Sequence, residues 1–212
     1  MKDSKTFKER VKETIIRAAE NYKNYFVEYD YLLCSEAFMK NKYYIIKGEK
    51  SNFKHLTGVL LVSNTAEKFY DKSLDGTLEE TDFEIVKDVN DKFTKGTIRR
   101  KISVIEDAVK IFEKTTFVEE DFEKNNIKCS IATEDSCSTI GFTSTGSVVR
   151  PKTLLKGDQL DKNKAKCVEL VLRRKRNEKY FNEIVIGDKN AIDKYENIVL
   201  GLVDDSLFDN IK

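Results

Sequence analysis

The sequence predicts an α+β fold, with N-terminal helices packed on an antiparallel sheet of about four to five strands. Two observations carry this. Up to about residue 125, apolar residues recur mainly at helical spacing, interrupted by two short strand-like runs. After residue 126, five closely spaced segments have β character. Helices followed by strands belong to the α+β class, and short connections favour antiparallel pairing. No Pro- or Gly-rich linker divides the 212 residues, so one domain is expected. Its parts are a mainly helical 1–125 with two short strands, a sheet over 126–187, and an acidic, helical tail over 188–212.

Phe7, Val11, Ile15, Ala18, Tyr22 and Tyr25 recur every three or four residues, which paints one face of a long amphipathic helix. "VEYDYLLCS" and "KYYIIKG" are rich in aromatic and β-branched residues and read as strands. Residues 65–75 read as a helix, with Ser63 or Asn64 as N-cap and Gly76 as its stop. "TLEETDFEIV" starts a further short helix capped by Thr81. Ile98, Ile102, Ile105, Val109 and Phe112 share one face of a continuous helix of about 15 residues. The five strand segments are "IKCSIAT", "STIGFTS", "SVVRPKTLL", "KCVELVLRR" and "KYFNEIVIGD", the last two joined as a hairpin around "RKRNEK". "KNAIDKYENIVLGLV" reads as a last helix in a tail with six Asp/Glu against three Lys.

Charged residues make up 35% of the chain, yet the net charge is only +1, which speaks against a globally basic nucleic-acid coat. Any polyanion must therefore meet a local patch. The charged N-terminus does not read as a secretory signal, and no apolar run approaches the roughly 20 residues that cross a bilayer. A cytoplasmic location, in a host cytosol, with no membrane partner is expected. Cys34, Cys129, Cys137 and Cys167 form no C-x-x-C pair, so reduced thiols are expected, and neither a zinc site nor a cofactor is.

Residues 150–185 hold eleven Lys/Arg against five Asp/Glu. Arg150, Arg173, Arg174, Lys175, Arg176 and Lys179, with Lys54, are candidates for holding a phosphate backbone; a solvated hairpin tip is the alternative. The single histidine, His55, lies in "NFKHLTGV". Imidazole exchanges a proton near neutral pH, which metal-independent RNA cleavage requires. Lys54 and the basic segment would supply cations for the phosphate, and Thr57 a hydrogen bond. The alternative is a histidine that merely caps a turn. The phosphate-binding templates G-x-x-x-x-G-K-[ST] and G-x-G-x-x-G are absent.

The ordered series "NFKHLTGV", "AEKFYDKSLDGTLEETDFE", "RRKISVIEDAVKIFE", "VVRPKTLLKGD" and "VELVLRRKRNEKYFNEIVI" resembles the fourth phage-linked subfamily of the barnase/EndoU/colicin/RelE nuclease superfamily. The resemblance spans about residues 25–187, and "FKHLTGV" and "RPKTLLKGD" are its most specific parts. It implies helices on an antiparallel sheet, a metal-independent ribonuclease-like site on the open sheet face, and occurrence on phages, prophages and other mobile elements. It assigns His55 as the motif histidine, Thr57 as its companion hydroxyl, and Lys152, Thr153 and Lys156 as the Lys/Thr positions of the second motif. The hairpin "LRRKRNEKY" departs from the family pattern by being richer in arginine.

The function expected is a metal-independent RNA endonuclease or toxin-like effector that cleaves through the ribose 2′-OH. His55 is its general acid/base, Thr57 orients the histidine or the scissile phosphate, and Lys152 and Lys156, with Arg173 or Arg174, hold the phosphate. RNA is the expected partner, together with a host or immunity protein. The rival is a non-catalytic mobile-element protein that keeps the fold and binds or inhibits a host protein or RNA.

Overall fold

The computed structural model describes residues 5–85, 94–114 and 116–208. The helices are α1 (Phe7–Tyr22), α2 (Phe53–Thr57), α3 (Ala66–Leu74), α4 (Thr94–Ile102), α5 (Ile105–Ala108) and α6 (Lys189–Val199). The first strands are β1 (Tyr29–Cys34), β2 (Tyr44–Lys47), β3 (Leu60–Leu61), β4 (Phe83–Glu84), β5 (Phe117–Glu120), β6 (Glu123–Lys124) and β7 (Ile127–Lys128). They are followed by β8 (Ile131–Glu134), β9 (Ser138–Thr145), β10 (Val148–Lys156), β11 (Lys166–Cys167), β12 (Leu170–Lys175) and β13 (Glu183–Ile186).

Nine strands of the described chain form one sheet in the order β11-β5-β8-β9-β10-β2-β1-β12-β13. The α+β class holds, but the sheet is larger than the expected four to five strands and is mixed. β2 runs parallel to β10, with Val148 opposite Ile45 and Val149 opposite Ile46, while the other neighbours are antiparallel. The reason is where the N-terminal hairpin goes. β1 and β2 insert between β10 and β12, in the middle of the sheet. Their side chains explain this choice. Tyr31, Leu32, Leu33 and Cys34 are all buried, so both faces of β1 need cover. Tyr31 and Leu33 join the core under α1, while Leu32 and Cys34 join a second core with Ile192, Tyr195 and Val199 of α6. The last helix thus covers β1, β2 and β12 on the face opposite the N-terminal helices.

α1 begins at a capping box between Thr6 and Glu9, and buries Val11, Ile15, Ala18, Ala19 and Tyr22. A π-helical turn over Lys23–Val27 continues it and seats Phe26 in the core. α3 starts one residue later than expected, at the N-cap Thr65, whose hydroxyl accepts from the Lys68 amide. The helix expected at "TLEETDFEIV" is instead a 3₁₀ turn over Glu80–Asp82 followed by β4; Val86 lies outside the described residues.

The continuous helix expected over 98–112 breaks into α4, α5 and a 3₁₀ turn at Ile111–Glu113. The break falls in "ISVI". The Ser103 hydroxyl donates to the Arg100 carbonyl at 2.8 Å, and Val104 leaves the helical region at φ −132°, ψ −9°. A serine that competes for backbone groups, flanked by β-branched residues, is a weak point in a helix. Ile98, Ile105, Val109 and Phe112 remain buried, so the apolar face survives the break.

Candidate functional site

α2 is short, and its spacing fixes which side chains point inward. Phe53, Leu56 and Thr57 are buried, whereas His55 remains accessible to solvent. Phe53 packs on Tyr22, Phe69 and Tyr70, with ring centroids 5.1–6.2 Å away. The helix ends at Gly58, in the left-handed region at φ +78°. Thr57 is wholly buried; its hydroxyl donates to the Lys54 carbonyl at 2.8 Å and accepts from the Val59 amide at 3.4 Å. It locks the end of α2, and it faces away from solvent. The expectation that Thr57 orients the histidine or a phosphate finds no counterpart in these contacts.

α4 and β10 both pack on α2. From α4, Lys101 projects into this junction. It is 9% exposed, and its ammonium donates to the main-chain carbonyl of His55 at 2.8 Å. Burial pushes its pKa down to about 8. The His55 imidazole makes no hydrogen bond among the described residues. Partial burial, then the positive charges of Lys54 and Lys101, hold its pKa below the ordinary histidine value.

Lys101 also lines a cavity of about 580 Å³ between α4, the end of β10 and the β6–β7 turn. Arg100, Lys156, Asn125, Asn126 and Leu155 share the wall. Among the described residues, Arg100, Lys101 and Lys156 have no carboxylate partner. Arg100 donates to the Thr97 hydroxyl at 3.4 Å and Lys101 to the His55 carbonyl. Three cations held together without a counter-ion create a positive potential at the cavity. His55 is tied to this cavity through Lys101 rather than by forming its wall.

The other sequence candidates are dispersed. Lys152 is exposed and donates to the Lys128 carbonyl at 2.6 Å. Thr153 is buried, its methyl lying beside Gly141. Neither lines the cavity, so of the Lys/Thr positions of the second motif only Lys156 does. Arg150 is exposed on β10, six residues from Lys156 and therefore about 20 Å along the strand.

The arginines of the β12–β13 hairpin are engaged within the chain. Arg173 pairs with Glu183 at 2.5 Å and lies over the Tyr29 ring. Arg174 pairs with Asp30 at 3.3 Å and lies over Phe181. Arg176 pairs with Glu49 at 3.1 Å, donates to the Phe26 and Gly48 carbonyls, and lies 3.7 Å from Asp30. Asp30 is 1% exposed, so Arg174 and Arg176, with Lys47 at 3.5 Å, neutralise a buried carboxylate. Lys175 and Lys179 stay exposed, the latter over the Tyr180 ring. β2 and β1 separate β12 from β10, about 14 Å by strand spacing, so the hairpin and the cavity are distinct places.

Arg100, Lys101, Asn125 and Asn126 were not singled out by the sequence reading. For Lys101 a signal exists: it falls three residues after Ile98, on the apolar stripe, where a charge needs a reason. Among the described residues no group of three or more His, Cys, Asp or Glu side chains is placed to hold a metal ion. No helix is long and apolar enough to cross a membrane.

No curated protein and no solved structure matches this chain. A family model does, over residues 14–201, which takes in the second half of α1, the whole large sheet, the cavity and α6. The chain therefore belongs to the family described as phage-Barnase-EndoU-ColicinE5/D-RelE like nuclease4.

Proposed function

We propose that the protein is a metal-independent RNA endonuclease whose substrate phosphate sits at the cavity between α4, the end of β10 and the β6–β7 turn. The observation that carries the reading is the group Arg100, Lys101 and Lys156, cationic and without a described carboxylate partner, of which Lys101 donates to the main-chain carbonyl of the sole histidine, His55. An uncompensated cluster of this kind favours an external polyanion, and membership of a nuclease-like family makes RNA the natural one. His55, held neutral near pH 7, takes the proton of a ribose 2′-OH. The 2′-oxygen then bonds to phosphorus as the P–O5′ bond breaks. The cations stabilise the charge that builds on the phosphate oxygens, and the leaving 5′-oxygen takes a proton from water as a 2′,3′-cyclic phosphate forms.

The reading is tested by incubating the full chain with single-stranded RNA in excess EDTA. Cleavage with 2′,3′-cyclic phosphate or 3′-phosphate ends, and intact DNA of the same sequence, is expected. Loss of cleavage with chelator, or equal cutting of DNA, contradicts it. One observation favours a second reading, in which the site binds RNA without cutting it: the His55 imidazole has no described hydrogen-bond partner to fix its orientation. Under that reading the cavity binds RNA but leaves it whole.

A further inference from the structure

The cavity holds more than a phosphate needs. Besides its cations it has an apolar wall of Ile127, Leu154 and Leu155, and at its rim the amides of Asn125 and Asn126. Neither amide makes a hydrogen bond among the described residues. Both residues are left-handed, at φ +50° and +63°, between the paired Lys124 and Ile127. This is a two-residue hairpin turn with positive φ at both central positions, which asparagine and glycine tolerate. The turn is held in place, because Lys124 donates to the Gln159 carbonyl at 3.0 Å. A second cavity of about 320 Å³ adjoins the first. It shares Arg100, Asn125, Leu155 and Lys156 and adds Gln159. The cations common to both cavities, Arg100 and Lys156, thus line two adjoining compartments, the larger with Ile127, Leu154 and Leu155 and the smaller with Leu155 alone, each also lined by side-chain amides.

We infer that the two cavities bind one dinucleotide step of single-stranded RNA, with its phosphate at Arg100 and Lys156 and the Asn126 amide reading the base in the larger cavity. The inference rests on the proposed RNA site and adds what that site recognises. A base offers a flat face to leucine and isoleucine and donor and acceptor edges to an amide. In a duplex those edges are paired and cannot enter a cavity, so single strands are selected.

The test is calorimetric titration of the full chain with inorganic phosphate, with dinucleotides carrying a 2′-O-methyl group on the 5′ ribose, and with a short RNA duplex. The methyl group removes the nucleophile, so binding is read without cleavage. Dinucleotides are expected to bind about tenfold or more tightly than phosphate, with a preference among bases, and more tightly than the duplex per site. Asn126→Gly keeps the turn, since Asn-Gly suits it, and removes the amide. It is expected to flatten the base preference several-fold while leaving phosphate binding and thermal stability unchanged. If phosphate binds but dinucleotides bind no tighter, or if Asn126→Gly keeps the full base preference, the inference is overturned and the cationic site stands. If neither phosphate nor dinucleotide binds, the proposed RNA site fails, and the inference with it.

Discussion

Lys101 lies so close to Gly58 that a Cβ on residue 58 would sit 2.9 Å from Lys101 Cδ. Gly58 is also left-handed. One residue therefore does two things: it ends α2 and leaves room for the lysine stem that reaches the His55 carbonyl. Gly58→Ala should lower stability by about 1–2 kcal/mol from the left-handed backbone alone. It should also displace Lys101. Urea denaturation measures the first effect, and a shift in the His55 imidazole resonance reports the second.

Lys101 gives stability an unusual pH dependence. Its folded pKa is near 8, below that of an unfolded lysine, so between about pH 8 and 10.4 the unfolded chain binds more protons. Its charged burial is a penalty, fully present below pH 8 and relieved as pH rises through that window. Lys101→Met keeps the apolar stem and removes the charge. The stability advantage of the methionine variant should be largest at pH 7 and shrink toward pH 10. Paired denaturation curves at pH 7 and 10 check this, and an advantage independent of pH would refute it.

His55 is the only histidine, so its ring protons give a single set of resonances that needs no assignment by mutation. Its pKa should be below 6.5, and it should rise in Lys101→Met as one of the neighbouring positive charges goes. If the site acts as proposed, the acidic limb of the cleavage rate should follow the same pKa. A histidine that titrates at or above 6.5 in the wild type would contradict the electrostatic picture.

The two basic regions should respond differently to mutation. Lys156→Ala and Arg100→Ala, in the cavity, should each weaken RNA binding and reduce its salt slope by about 1, with little change in stability. Arg176→Ala should do the reverse. It removes a partner of the buried Asp30 and of Glu49, and should lower stability by about 1–3 kcal/mol while the folded fraction keeps its RNA affinity. Binding isotherms at several salt concentrations, with thermal melts on the same samples, separate these outcomes.

Much of the fold was legible because single elements carry their own signal. The α6 helix and the strands of "STIGFTS", "SVVRPKTLL" and "KYFNEIVIGD" follow directly from period and turn residues, whereas "IKCSIAT" divides into β7 and β8 and "KCVELVLRR" into β11 and β12, which pair at different places. The place of β1 and β2 was less legible, since pairing partners far apart in sequence leave no local mark. Yet the unbroken run Tyr31–Cys34 does hint at a strand covered on both faces. The site divides in the same way. His55 and Lys156 stand out as residue types in motifs. Lys101 marks itself in sequence as a charge on an apolar stripe, but its reach to His55 shows only once α4 packs on α2, and Asn125 and Asn126 show only once the β6–β7 turn meets the cavity. Arg174 and Arg176 mislead because their partners, Asp30 and Glu49, are more than a hundred residues away in sequence.

The most direct measurement is single-turnover cleavage of single-stranded RNA by the wild type and by His55→Ala, with the thermal midpoint of both. The imidazole is solvent-accessible and makes no described hydrogen bond, so the midpoint should hardly change. Cleavage should fall by about 10²–10⁴-fold, the range for losing a general acid or base. A variant that folds normally and cuts RNA at the wild-type rate would contradict the central claim.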